Sequence, residues 1–150
     1  MAIQWRTGDI WKSGAETVVV PVNCVGIMGK GMALQCKRRY PRVYGEYIQD
    51  CARRLIEPGD VFHYQTWDAS APQKWVLCAA TKNHWRAGSQ LRWVERCIRE
   101  IDRTCCADRN GVVAVPMLGC GLGGLKWEDV RPIMEERLGE STETTFLVYE

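Results

Sequence analysis

Apolar positions along this chain fall into short unbroken runs and longer stripes that recur every three or four residues, and the two kinds alternate. Residues 17–23 (TVVVPVN) carry consecutive β-branched side chains and predict a strand buried on both faces, with Pro21 removing one ladder donor near its end. Residues 61–66, 75–80, 111–117 (GVVAVPM) and 144–149 predict further strands, and the alternation at 3–6 predicts a short or edge strand that Thr7-Gly8-Asp9 turns away. Between these runs the period changes. Residues 32–40 predict a helix closed by Pro41. A second starts at Pro41, with Tyr44, Tyr47, Ile48, Cys51 and Leu55 as its buried stripe, and Pro58-Gly59-Asp60 ends it. A third follows Gly88, buried through Leu91, Val94, Ile98, Ile101 and Cys105, while Arg92, Arg96, Arg99 and Arg103 share the solvated side with Glu95, Glu100 and Asp102. A fourth covers 127–138, where Pro132 is expected to bend the first turns. The order β-β-α-α-β-β-α-β-α-β predicts an α/β, three-layer α/β/α fold with a central mixed, mostly parallel sheet.

Composition narrows the classes. The 150 residues suit one domain, expected over 1–150, and 46% hydrophobic against 25% charged residues excludes a disordered chain. A net charge of +2 excludes wholesale coating of nucleic acid, so any such contact must be local. No stretch approaches the roughly 18 consecutive apolar residues of a membrane span, and residues 1–9 lack the apolar core of a signal peptide, so a cytoplasmic protein without membrane contact is expected. Of the eight cysteines, Cys24, Cys36, Cys51, Cys78, Cys97 and Cys120 sit in apolar or periodic segments and are expected as reduced thiols. There is no C-x-x-C pair, and neither His63 nor His84 has metal-ligand spacing to a cysteine pair; no metal and no cofactor are expected.

The chemistry concentrates in two glycine-rich loops, residues 24–31 and 119–124, each leaving the end of a buried strand and leading into a helix. Glycine admits positive φ and lets backbone amides approach an anion, and the helix N-terminus that follows adds positive potential. Gly119, Gly121 and Gly124 match G-x-G-x-x-G, but only one helix and one strand follow, against the first-unit placement of a dinucleotide fold. In the first loop Lys30 precedes the last glycine and no Ser or Thr follows, which fails the triphosphate-binding pattern. Each loop alone could be a tight turn. Two on matching strand ends suit a diphosphate lying between them.

These residues resemble the macrodomain family. Thr7-Gly8-Asp9-Ile10 is similar to its opening T/G-D-I/L, Val20-Pro21-Val22-Asn23 followed by Gly26-Ile27-Met28-Gly29-Lys30-Gly31-Met32-Ala33 to its first ligand loop, and the stretch from Val115 to Leu125 to its second. Met28-Gly29-Lys30-Gly31 together with Thr81-Lys82-Asn83-His84-Trp85 looks most like the branch of antitoxin macrodomains that remove ADP-ribose from thymidine in DNA. The resemblance implies a single macrodomain that binds ADP-ribose through Asp9 (at the adenine), Ile10, Asn23 (at the distal ribose), Gly29, Lys30, Gly31, Met32, Thr81, Gly119, Cys120, Gly121, Leu122 and Gly123. It implies catalysis by Lys82 with Asn23. A related branch acts on glutamate-linked ADP-ribose and has an aspartate where this chain has Gly123, which favours the DNA-directed comparison.

A lysine amine is protonated at neutral pH and becomes a nucleophile only where desolvation or neighbouring positive charge favours its neutral form; Lys82 could then attack the anomeric carbon of the distal ribose or assist its ring opening. His84 is a candidate proton shuttle, with a satisfied, non-catalytic histidine the simpler reading. Trp85 and Arg86, with His84, are candidates for contacting a nucleic-acid base or phosphate, and packing under the loop accounts for Trp85 equally well. Three readings follow: removal of ADP-ribose from modified DNA, expected as a single strand; hydrolysis of ADP-ribose adducts on protein or small molecules; and an ADP-ribose reader without turnover. The resemblance also brings in a cognate DNA ADP-ribosyltransferase toxin as partner, and a monomer is expected.

Overall fold

A computed structural model of the chain describes residues 2–107 and 111–150, without the side chains of 106 and 107. Strands β1 (Ile3–Arg6), β2 (Thr17–Val22), β3 (Val61–Gln65), β4 (Trp75–Ala80), β5 (Val112–Val115) and β6 (Thr145–Tyr149) form a sheet in the order β1-β6-β5-β2-β4-β3. All neighbours run parallel except β3, which pairs antiparallel with β4. Its reversal follows from the connection: residues 66–74 are too few for the crossover that a parallel pair requires. Helices α1 (Gly31–Arg39) and α2 (Pro41–Ala52) cover one face, α3 (Leu91–Ala107) and α4 (Trp127–Leu138) the other.

The unbroken apolar run of β2 is explained by these two layers. Val18, Val20 and Val22 pack with Val76, Cys78 and Ala80 under Cys36, Val43 and Tyr47 of α1 and α2. Val19 points the other way, with Leu77, Val113 and Val115, under α3 and α4. Successive side chains of a central strand thus both find a core, and no polar alternation is needed. The order, the layers and the mostly parallel sheet agree with the sequence reading, apart from a 3-10 turn at Ile10–Lys12 that it lacked.

Two buried stripes are corrected. Helix α2 stops at Ala52, before Leu55, which is 52% exposed; Val43 holds the core position instead. The stop is a Schellman closure, with Leu55 N–H on Asp50 O and Arg54 N–H on Cys51 O, both at 3.0 Å. Arg54 takes the left-handed position at φ 56° without being glycine. In α3, Leu91 is also exposed because it opens the helix ahead of the packed turns, and Cys97 joins Val94, Ile98, Ile101 and Cys105 below. Helix α4 runs on through Pro132.

Cys24, Cys36, Cys51, Cys78, Cys97 and Cys120 are free thiols, three of them buried. Burial pushes the Cys24 and Cys36 thiols up to about 12, with Cys51, Asp60 and Glu57 adding to the effect at Cys24. Three of the four surface arginines of α3 are ion-paired, Arg96 with Asp60, Arg99 with Glu95 and Arg103 with Glu100, as expected of a solvated face, while Arg92 donates to Gln90. No helix among the described residues is long and apolar enough to cross a membrane.

Candidate functional site

The site is built where β2, β4 and β5, parallel neighbours at the centre of the sheet, release their chains at the same end. Past the last registered pair, Val22 with Ala80, the two strands stay joined: Lys82 N–H meets Val22 O at 3.4 Å and Cys24 N–H donates to Asn83 O at 3.1 Å. Cys24 Sγ lies 3.4 Å from Lys82 O. This extension sets Lys82 beside the first glycine loop. At the other end of the same segment, Ser89 N–H donates to Gly123 O at 2.9 Å. Residues 81–89 therefore bridge the two glycine loops.

Asn23 is buried, at 6% exposure, and organises the first loop. Its Oδ1 accepts from the N–H groups of Val25 (3.1 Å) and Ile27 (3.3 Å), and its Nδ2 donates to Ile27 O at 2.8 Å. The Tyr47 hydroxyl stands 2.7 Å from Asn23 O and 3.0 Å from its Oδ1. Burial pushes the Tyr47 phenol up, which keeps it a donor. The sequence reading had Tyr47 only as core; a buried tyrosine needs a partner for its hydroxyl, and that is the signal that could have found this role.

Gly26 and Gly31 adopt φ +83° and +58°, and Met28 folds beneath the loop at 1% exposure. Lys30 N-caps α1 without a side-chain hydrogen bond, so the first N–H groups of the helix remain available to an anion. Gly29, Lys30 and Gly31 are exposed, and Met32 is half-buried.

The second loop is closed by Cys120 N–H on Met117 O (3.2 Å), Gly124 N–H on Gly121 O (3.2 Å) and Leu125 N–H on Gly119 O (2.9 Å). Gly119, at φ +76°, lies so close to α3 that a Cβ there would stand 2.7 Å from Val94 Cγ2. A Cβ on Gly123 would overlap Gly119 O and Ser89 Oγ. The aspartate of the glutamate-directed branch thus has no room at this position. Ser89 Oγ is itself a buried hydroxyl without a partner among the described residues; the sequence reading did not single it out, although a serine just ahead of a helix was visible. Leu122, 65% exposed, tops the loop, and the half-buried Cys120 turns its thiol to Leu118 O at 3.4 Å.

Asp9 is exposed at the end of β1 and N-caps the 3-10 turn through one carboxylate oxygen, which accepts from Trp11 N–H at 3.0 Å. The other oxygen carries no hydrogen bond among the described residues and can receive an amino group. Gly8, at φ +102°, makes this turn. Ile10 is buried beside it, and Thr81, 3% exposed, lies beneath the Lys82 backbone.

Lys82 is half-buried, with Nζ 3.5 Å from Trp85 O and no ion pair among the described residues. His84, Trp85 and Arg86 form an exposed stack. The imidazole lies 5.4 Å from the indole centroid at 28°, and the Arg86 guanidinium covers the indole at 4.6 Å. His84 Nδ1 accepts from Arg86 N–H at 3.1 Å, which leaves the proton of the neutral ring on Nε2. Trp85 is 45% exposed, so packing under the loop does not account for it. Among the described residues no group of histidines, cysteines or carboxylates could hold a metal. A cavity of about 470 Å³ lies away from this site, at the other end of the sheet, lined by Thr17, His63, Trp75 and Thr144. It holds neither glycine loop.

An α/β/α sandwich with two glycine loops at adjacent parallel strand ends, one running into an uncapped helix N-terminus, has the arrangement of main-chain N–H groups that suits an anionic ligand. The Macro domain family matches residues 19–134, and the chain belongs to it. It is similar to a DNA ADP-ribosyl glycohydrolase of Mycobacterium tuberculosis, 41% identical over 136 residues that make up 91% of this chain and 37% of the relative. The structure is similar to the macrodomain of Mycobacterium tuberculosis DarG, with a TM-score of 0.92 and 36% identity over 98% of this chain and 96% of that one. It is also similar to Thermosipho africanus DarTG in complex with ADP-ribose, with a TM-score of 0.88 and 31% identity over 99% of this chain and 41% of that one. The chain spans less than half the length of the curated DNA ADP-ribosyl glycohydrolases it matches.

Proposed function

We propose that this macrodomain is an ADP-ribosyl glycohydrolase that removes ADP-ribose from thymidine-linked positions of single-stranded DNA, with Lys82 as nucleophile. The observation that carries this reading is the bridge of residues 81–89, which holds Lys82 next to the Asn23-organised loop and between the two glycine loops. The names of the relatives, a DNA ADP-ribosyl glycohydrolase and a DarTG bound to ADP-ribose, support it. In this reading Asp9 receives the adenine amino group, the loop amides and the α1 N-terminus hold the diphosphate, and the distal ribose meets Lys82. Binding energy from the unreactive end fixes the reacting end.

The Lys82 amine, in its neutral form, attacks C1 of the distal ribose. The bond from that carbon to the base nitrogen breaks with its electron pair on the base, which takes up a proton. Ring opening gives an imine, and water adds to it and releases the amine with ADP-ribose as product. His84, with its proton on Nε2, stands two residues away as a candidate donor, and the stack of His84, Trp85 and Arg86 offers a face to the neighbouring base. The partners of this reading are ADP-ribose, modified DNA and a DNA ADP-ribosyltransferase toxin that makes the modification, in the cytoplasm.

The absence of room for a Cβ at Gly123 favours DNA over glutamate-linked substrates. The test compares release of ADP-ribose from a thymine-modified single strand and from a glutamate-modified protein. Release from DNA alone is expected. Release from protein alone moves the substrate class, and tight ADP-ribose binding without release from either leaves a reader.

A further inference from the structure

The two helical layers differ in charge. Residues 30–54, which contain α1 and α2, hold seven of the chain's 20 cationic residues against two acidic ones, Glu46 and Asp50, in a chain whose net charge is only +2. Asp50 is occupied by the Tyr64 hydroxyl at 2.6 Å. Among the described residues none of Lys30, Lys37, Arg38, Arg39, Arg42, Arg53 and Arg54 forms an ion pair, whereas five of the six arginines of α3 and α4 do, Arg96, Arg99, Arg103, Arg131 and Arg137; Arg92 donates to Gln90 instead. Lys37, Arg38, Arg39 and Arg42 are exposed.

Helix electrostatics account for part of this cluster. Lys37, Arg38 and Arg39 fill the last turn of α1, where the dipole favours cations. Arg42 stands in the first turn of α2, where the dipole disfavours them and where no acidic residue compensates. Several of these cations lie over aromatic rings instead: Lys37 over Tyr44 at 4.6 Å, Arg39 over Trp11 at 5.1 Å and Arg42 over Trp67 at 4.8 Å. Trp67 is 58% exposed and sits at φ +57°, a left-handed backbone that a bulky residue rarely adopts. The acidic neighbour from that turn, Asp68, is engaged by Ser70. Unpaired cations with an aromatic ring held outward are the combination by which proteins track a single strand.

The face begins at the site. Lys30 belongs to the first glycine loop, and α1 leads away from it for nine residues, about 14 Å at 1.5 Å per residue. We propose that the α1–α2 face is a track for the phosphate backbone of the single strand whose modified nucleotide occupies the site, with Trp67 as a stacking platform for a base further along. This inference rests on the DNA-directed reading above.

The test uses the whole chain, its Lys37→Gln/Arg38→Gln/Arg42→Gln variant and an Arg92→Gln/Arg99→Gln/Arg103→Gln control that removes the same charge from α3. Binding of an unmodified 20-nucleotide thymidine strand is followed by anisotropy across salt concentrations, with thermal melting and ADP-ribose binding as checks of the fold. Each phosphate contact of a single strand contributes about 0.7 to the slope of log K against log salt, so the α1–α2 variant should lower the slope by about 2 and weaken binding on the order of 100-fold at 0.1 M salt. The control should bind as wild type. On a modified 20-mer the variant should raise KM and leave kcat, while a modified trimer should be turned over as by wild type.

No binding of the thymidine strand by wild type, equal binding by the variant, or equal loss in both triple variants overturns the proposal. So does a variant that loses affinity for poly-glutamate and not for DNA, which would make the face a site for an acidic protein. Failure of ADP-ribose release from every modified strand would instead overturn the glycohydrolase reading, while the anisotropy still reads the face.

Discussion

Asn23→Ala separates an organiser of the first loop from a mere ribose contact. In the structure the side chain satisfies the N–H groups of Val25 and Ile27 and the carbonyl of Ile27, all within the loop, at 2.8 to 3.3 Å. Removing it deprives three main-chain groups of their partner in a part-buried setting, at about 1 kcal/mol each, or about 3 kcal/mol together. For a domain of this size each kcal/mol lowers Tm by about 2–4 °C, so calorimetry should read a fall of about 6–12 °C. Asn23→Asp keeps the acceptor for Val25 and Ile27 but turns an oxygen toward Ile27 O, and should also lower Tm. Affinity for ADP-ribose, by titration calorimetry, should fall with loop order in both variants. A variant that binds ADP-ribose weakly while melting within 1 °C of wild type would refute the reasoning, because it would make Asn23 a ligand contact and nothing more.

Other predictions follow from the same geometry. Gly123→Ala should cost about 1–3 kcal/mol through overlap with Gly119 O and Ser89 Oγ, seen as a lower Tm and weaker ADP-ribose binding; an unchanged Tm would contradict the fit described for the loop. Trp85→Ala should weaken binding of a modified strand by about 1–3 kcal/mol, the worth of one stacked base, and leave the affinity for free ADP-ribose unchanged, as read by anisotropy and calorimetry. Because burial raises the folded thiol of Cys36 from 9.0 to about 12, stability from that group is fully present below pH 9 and is lost as the pH rises toward 12. Melting curves should therefore be flat from pH 7 to 9 and fall above it, by up to about 1.4 kcal/mol per pH unit for each such buried thiol.

Much of the fold was legible because period and burial coincide. The β-branched run at 17–23 has both neighbours of a central strand written into it, and the helix of 127–138 was read to the residue. Leu55 and Leu91 misled because an apolar residue in register with a stripe says nothing of where the helix stops or where packing begins. A Schellman closure with arginine in place of glycine leaves little trace in sequence. The glycine loops were visible as composition, but the bridge between them was not: main-chain bonds from Lys82 to Val22 and from Cys24 to Asn83, 60 and 59 residues apart, bring Lys82 beside Asn23, and Gly123 meets Ser89 in the same way. The charge of the α1–α2 face was hidden by averaging, since arginines are spread over all the helices and only the ion pairs tell which are neutralised.

The proposed role of Lys82, nucleophile of a DNA-directed ADP-ribosyl glycohydrolase, can be trapped directly. Wild type and Lys82→Ala would be incubated with a single-stranded oligonucleotide carrying ADP-ribose on thymine, with borohydride added to one portion of each, and followed by release of ADP-ribose and by intact protein mass. Wild type should release ADP-ribose, Lys82→Ala should not, and borohydride should leave wild type heavier by one adduct that maps to Lys82 and is absent from the variant. Release by Lys82→Ala at the wild-type rate, with no adduct on either protein, would contradict that role.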